Sequence, residues 1–194
     1  MPIKTEYIED DEWKILSLGQ FIVGITTSTY NDDYGKFYQM KLSITNLSDS
    51  SYDFDPADIE TYIIDEEDYC TNVPTYTAQE FRKRIRSKQR WEKIANVLNT
   101  IAASWSSQYY ANASASLQAQ ANSRYLNDKL KEDIKVRDTG YLKKNTIHPY
   151  ETINGYMNIK YRRGTTMNII IPFNDVQYVF TWDITKKAIN RTDL

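Results

Sequence analysis

Few residues in this chain are of the types that carry covalent chemistry. It has one histidine, His148, and one cysteine, Cys70. A cluster of imidazole ligands or a paired-histidine mechanism needs partners that one histidine cannot supply. His148 stands before Pro149, among Thr146, Ile147 and Tyr150, which is the setting of a loop or strand edge. A lone Cys70 excludes an internal disulfide framework and a cysteine zinc site, and it has no second thiol to activate it. The sequence holds no Gly-x-Ser-x-Gly elbow, no His-Glu-x-x-His helix and no glycine loop for phosphates. These residues give no catalytic, metal-binding or cofactor-binding set, and a non-enzyme is expected.

Charged clusters offer the remaining chemistry. Asp53, Asp55 and Asp58 are closely spaced oxygen donors of the kind calcium takes, but the glycine and distal glutamate of an EF-hand loop are missing. Phe54 and Pro56 within that run point to a strand-to-loop bend. Asp65-Glu66-Glu67-Asp68 reads as a solvated loop. Acidic residues total 26, so a carboxylate pair for glycoside hydrolysis is available in composition, and only a cleft would define one. Residues 82–90 carry six cations, with Arg82, Arg86 and Arg90 as a candidate anion patch. At helical spacing these charges spread around a helix whose buried side is Phe81 and Ile85. A net charge of −2 argues against a nucleic-acid binder, so the patch is read first as a solvated helix face.

The elements that would position these groups fall into three parts. Residues 12–75 are β-rich. Phe21 to Tyr30 is a run of β-branched and aromatic residues, and 31–35 is a turn. In Phe37 to Asn46, Tyr38, Met40, Leu42 and Ile44 alternate with polar residues, the period of a half-buried strand. Residues 46–51 have turn composition. Ile59 to Ile64 offers a further strand with Ile59, Thr61 and Ile63 on one face.

Residues 77–136 read as a two-helix hairpin. Thr77-Ala78-Gln79-Glu80 is a capping box, and apolar residues recur from Phe81 to Trp105. A helix over that stretch would be about 45 Å long at 1.5 Å per residue. Leu117, Ala121, Tyr125 or Leu126, Leu130 and Ile134 form a second stripe. Ile101, Trp105, Tyr109 and Tyr110 fall near the hairpin tip, where aromatic residues serve as interface anchors.

Residues 139–185 return to strand patterning. Thr152 to Tyr161 is one strand, 162–165 a turn, and 167–173 with 176–184 a hairpin around Asn174-Asp175. Tyr178, Phe180 and Trp182 share a face. Six or seven antiparallel strands split by helices predict a mainly β chain with an α insertion: an antiparallel β-sandwich, formed as one domain and interrupted at 77–136.

Two stretches resemble immunoglobulin-like domains found in exported bacterial proteins of the Bacteroidetes type. Lys41 to Ser48, followed by Phe54-Asp55-Pro56, is similar to their strand, Asn-x-Ser turn and Phe-x-Pro segment. Tyr141 to Tyr156 looks like their leucine-led segment ending in x-x-Gly-Tyr, with Tyr150 standing where those domains carry glycine. The likeness covers about two-thirds of the chain and omits the insertion. It implies an exported, non-enzymatic domain and supplies no catalytic residues. With the aromatic hairpin tip, the leading expectation is a non-catalytic binding or assembly module without a cofactor, contacting a protein partner or a second copy through the hairpin. The alternatives are a carboxylate-based carbohydrate hydrolase and a binder of anionic polymers or membrane surfaces through the basic helix.

Neither an export signal nor an apolar run long enough to cross a membrane is encoded. Two locations are compatible with this: the cytosol, or, if Met1 replaces a removed signal segment, the periplasm, cell surface or outside of the cell, which the resemblance favours.

Overall fold

The computed structural model describes residues 4–8, 11–32, 35–88 and 140–185. The chain divides into two compact units, residues 1–79 with 140–194, and residues 80–139.

The first unit is mainly β. Its strands are β1 (Lys4–Ile8), β2 (Asp11–Leu18), β3 (Phe21–Asp32), β4 (Gly35–Asn46), β5 (Tyr52–Phe54), β6 (Glu60–Ile64), β7 (Cys70–Val73), β8 (Thr75–Tyr76), β9 (Asn145–Ile147), β10 (Thr152–Lys160), β11 (Thr166–Phe173) and β12 (Val176–Asp183). They form a six-stranded sheet ordered β1-β2-β3-β4-β10-β8, a four-stranded sheet ordered β12-β11-β6-β7, and a β5-β9 pair. The strand pairings in all three are antiparallel.

Alternation sets the faces. In β4 the expected residues Tyr38, Met40, Leu42 and Ile44 are buried, and cross-strand pairing places Val23 and Ile25 of β3 on the same face. In the other sheet, Thr61 and Ile63 of β6, Met167, Ile169 and Ile171 of β11, and Tyr178, Phe180 and Trp182 of β12 are buried. Side chains of the two sheets meet. The Phe21 and Phe173 rings lie edge to face at 5.0 Å. Lys14 sits 4.5 Å above the Trp182 ring and donates to the Thr181 carbonyl. That contact lets a lysine stem enter an apolar layer while its ammonium keeps a partner.

The hairpin at Asn174-Asp175 has the expected two-residue loop. Both residues have positive φ, 49° and 60°, which matches the twist of the flanking strands. Strand count is where the fold departs from expectation, with twelve strands among the described residues. The added strands are too short to show a period (β5, β7, β8 and β9), or lack a clean apolar face (β1), or are apolar on both faces (β2).

Asn46 explains the Asn-x-Ser turn. It is wholly buried at the end of β4. Its amide donates to the carbonyls of Ser50, Ile147 and His148, while its oxygen accepts from the Ser48 amide and hydroxyl. One side chain thus ties loop 47–51 to the end of β9. Tyr150, in the following turn, has φ 61°. A left-handed residue with a Cβ costs about 1–2 kcal/mol, which is why glycine suits that position. The Tyr150 hydroxyl bonds Asp49 across the two loops.

Both ends of the interrupted stretch border β10. Thr75-Tyr76 pairs with Ile159-Asn158. Residues 140–142 are fastened farther along, by Tyr156 N to Gly140 O at 2.9 Å and Leu142 N to Tyr156 O at 3.0 Å. The Tyr141 hydroxyl donates to the Tyr76 carbonyl at 2.7 Å and closes the gate between them.

One helix, α1, is described over residues 78–88, and from residue 80 onward it belongs to the second unit. It starts directly after Thr77, where the capping box places the cap. Phe81 and Ile85 are buried, as their spacing predicts. The rest of the expected hairpin lies outside the described residues.

Candidate functional site

Register brings six residues from four strands to one place on the outward face of the six-stranded sheet. Trp13 and Ile15 alternate on β2 with Leu16, which points to the core. Ile15 stands opposite Gly24, Gly24 opposite Ser43, and Ser43 opposite Asn154. With Ile22 they line a hollow of about 270 Å³. That volume lies just below the usual range of ligand sites.

The hollow has two sides. Trp13, Ile15 and Ile22 make an apolar wall, and Ser43 with Asn154 supplies a hydroxyl and an amide on the other side. Beyond them Thr45 and Thr152 bond through their hydroxyls at 2.9 Å. The floor is Gly24. A Cβ there would lie 3.6 Å from both Ile15 and Trp13, an ordinary contact. Packing does not require glycine at this position, so its missing side chain leaves volume open. Gly in a strand interior otherwise weakens the strand, and it marks places where something approaches the backbone closely.

The residues singled out from sequence lie elsewhere. Ile101, Trp105, Tyr109, Tyr110 and Arg90 are outside the described residues. Arg82 and Arg86 are on α1, Arg82 partly covered and Arg86 exposed. His148 is exposed, with its ring Nδ1 3.2 Å from the Ser51 hydroxyl. The adjacent carboxylate, Glu151, is engaged by the His148 backbone N–H at 2.8 Å. It therefore holds the turn and does not orient the ring as a triad acid would. Cys70 is an exposed free thiol.

The acidic run at 53–58 serves the fold. Asp55 caps the short 3₁₀ turn Pro56–Asp58 through the Ala57 amide at 3.0 Å and pairs with Lys144 at 3.3 Å. The Ala57 backbone bond, with help from Lys144, holds its carboxyl below the usual range against the opposing effect of burial. Asp53 accepts from Thr146, and Asp65 from the amides of Glu67 and Tyr69. Among the described residues no group of three or more His, Cys, Asp or Glu is placed to hold a metal ion. No helix among them is long and apolar enough to cross a membrane.

Sequence reading missed the hollow. Its traces were Trp13 and Ile15 two apart in a segment also carrying Leu16 and Leu18, and Gly24 inside a β-branched run. Neither names Ser43 or Asn154, which only strand register supplies. No family model, curated protein or solved structure matches the chain.

Proposed function

We propose that this chain is a non-catalytic binding module: an immunoglobulin-like β-sandwich of an exported bacterial protein, whose outward six-stranded face seats a single saccharide ring. The observation that carries the reading is the divided hollow over Gly24. A pyranose has an apolar C–H face and a rim of hydroxyls. The Trp13, Ile15 and Ile22 wall suits the first, and Ser43 and Asn154 suit the second. Aromatic side chains supply large contact area at low entropic cost, and a few polar groups then fix orientation.

Meeting side chains such as Phe21 and Phe173 support the sandwich. The non-catalytic reading draws on the roles of Asp53, Asp55, Asp65 and Glu151, each engaged in holding loops. The lining of the hollow is uncharged.

The test is a titration of the isotopically labelled chain with glucose, galactose, mannose, N-acetylglucosamine and their short oligomers, read by amide and indole shifts. Shifts centred on Trp13, Ile15, Gly24, Ser43 and Asn154 are expected for at least one sugar, without release of reducing ends. Trp13→Ala should weaken that sugar at least tenfold, the scale of losing an aromatic anchor. Unmoved resonances at millimolar concentrations of every sugar would sink the reading, and turnover would restore the hydrolase.

A further inference from the structure

We propose that the edge of β12 that pairs with no strand among the described residues is an assembly surface, and that its occupant is a second copy of this chain, paired antiparallel about a two-fold axis at Val179.

β12 ends the four-stranded sheet, with β11 as its neighbour. An antiparallel strand bonds one neighbour through alternate residues and directs the others away. The two-residue turn makes Phe173 and Val176 the bonded pair that closes the hairpin. Tyr178, Phe180 and Trp182 then bond to β11, and Gln177, Val179 and Thr181 present N–H and C=O outward. Two observations agree with this phase. Pro172, which has no N–H, stands opposite Gln177, in a pair that exchanges no bonds. Lys14, from the other sheet, reaches the Thr181 carbonyl, as it can only if that carbonyl points out of the ladder.

Unpaired edges are usually blunted by charge, proline or a bulge. Here the outward side chains over the free donors are Gln177, Val179 and Thr181, all uncharged and exposed, with Val179 at 43%. Rotation about Val179 sets Val179 against its own copy, and Gln177 against Thr181 of the copy. Every residue brought together in this way is one whose backbone groups point outward, so donors meet acceptors in register. At these three positions an apolar pair and two uncharged polar pairs of side chains result. This self-complementarity selects a second copy over an arbitrary extended peptide. The Thr181 carbonyl, already bonded by Lys14, has a second lone pair to offer.

The same register sets Asp175 of one copy against Asp183 of the other at each end of the overlap. Like charges opposite each other are unfavourable. The contact is also one strand wide, below the ~1,200 Å² of a stable interface. A weak dimer follows, forming at hundreds of micromolar.

Sedimentation velocity on the full chain from about 10 μM to 1 mM tests this. A concentration-dependent dimer is expected. Val179→Lys puts two ammonium groups at the axis and should return a monomer throughout, with an unchanged urea midpoint because Val179 is exposed. Asp175→Asn keeps a residue suited to the turn, removes the end repulsion and should tighten the dimer several-fold. A strict monomer at 1 mM would overturn the proposal. So would a dimer that ignores both substitutions.

Discussion

Gly24 and Gly155 both lie in long strands of the six-stranded sheet, and each is surrounded in an opposite way. Gly155 faces the side of Leu42, and a Cβ there would stand 2.8 Å from the Gly140 carbonyl oxygen and from Leu142. The crossing segment 140–142 occupies the space a side chain would take. Gly164, just before β11, is closed in the same manner, with a Cβ 2.5 Å from the Ile64 carbonyl oxygen. Gly24 faces outward, and its Cβ would meet only side-chain atoms at ordinary distance. On the closed side glycine admits backbone. On the open side it leaves a hollow beside an indole. The same residue type thus marks a structural seam in one place and the proposed sugar seat in another.

Substitution separates the two most sharply. Gly164→Ala should destabilise by about 3 kcal/mol, because the atom it meets is β6 backbone and cannot turn aside. Gly155→Ala should cost about 2 kcal/mol, with part of the strain relieved by Leu142. Urea denaturation measures both. Alanine tolerated at either site would mean that the seam is loose, and the contrast with Gly24 would fail.

The closed side can also be probed by pH. Burial, with Tyr161 beside it, raises the Tyr38 phenol well above its ordinary value, and burial alone raises Tyr178. Both residues are buried, at 3% and 0% exposure. Above pH 10 the unfolded chain releases these protons while the folded chain keeps them. The unfolded state then binds fewer protons, so stability falls as pH rises, and below pH 10 the effect vanishes. Tyr38 contributes a loss of about 1.4 kcal/mol by pH 11, and Tyr178 adds a loss of the same sign. The Tyr178 hydroxyl has no hydrogen-bond partner among the described residues. Tyr178→Phe should therefore remove its share of the alkaline loss and be neutral or stabilising by up to ~1 kcal/mol at pH 7. Urea midpoints of both chains from pH 7 to 11 decide it. A hydroxyl that mattered to packing would make the phenylalanine variant less stable at every pH.

The parts of the molecule legible from sequence are those whose signal is local. The alternation of Tyr38 to Ile44, the Asn174-Asp175 turn and the helix start after Thr77 each lie within a dozen residues. The hollow joins Trp13, Gly24, Ser43 and Asn154, and nothing in a window of sequence places Asn154 beside Ser43. Only the β4–β10 register does so, after the intervening segment has returned to the sheet. β2 escaped notice for a related reason. Trp13 and Ile15 serve the outward face while Leu16 serves the core, and two useful faces erase the period of two. A strand with no clean alternation was the trace of an outward apolar site.

Gly24→Ala carries the smallest expected change in stability and the most selective one. Its methyl group would sit 3.6 Å from Ile15 and Trp13, adding contact without overlap. Alanine also loses less conformational freedom on folding, so a gain of up to about 1 kcal/mol is expected. The same methyl raises the floor of the hollow where a sugar ring would rest, so affinity should drop several-fold while the urea midpoint holds or rises. That opposition between stability and binding cannot come from local unfolding. If affinity is unchanged in the alanine variant but lost in Trp13→Ala, the ring binds against the indole without entering the hollow. If stability falls instead, Gly24 belongs with Gly155 and Gly164, and the outward face is closed there too.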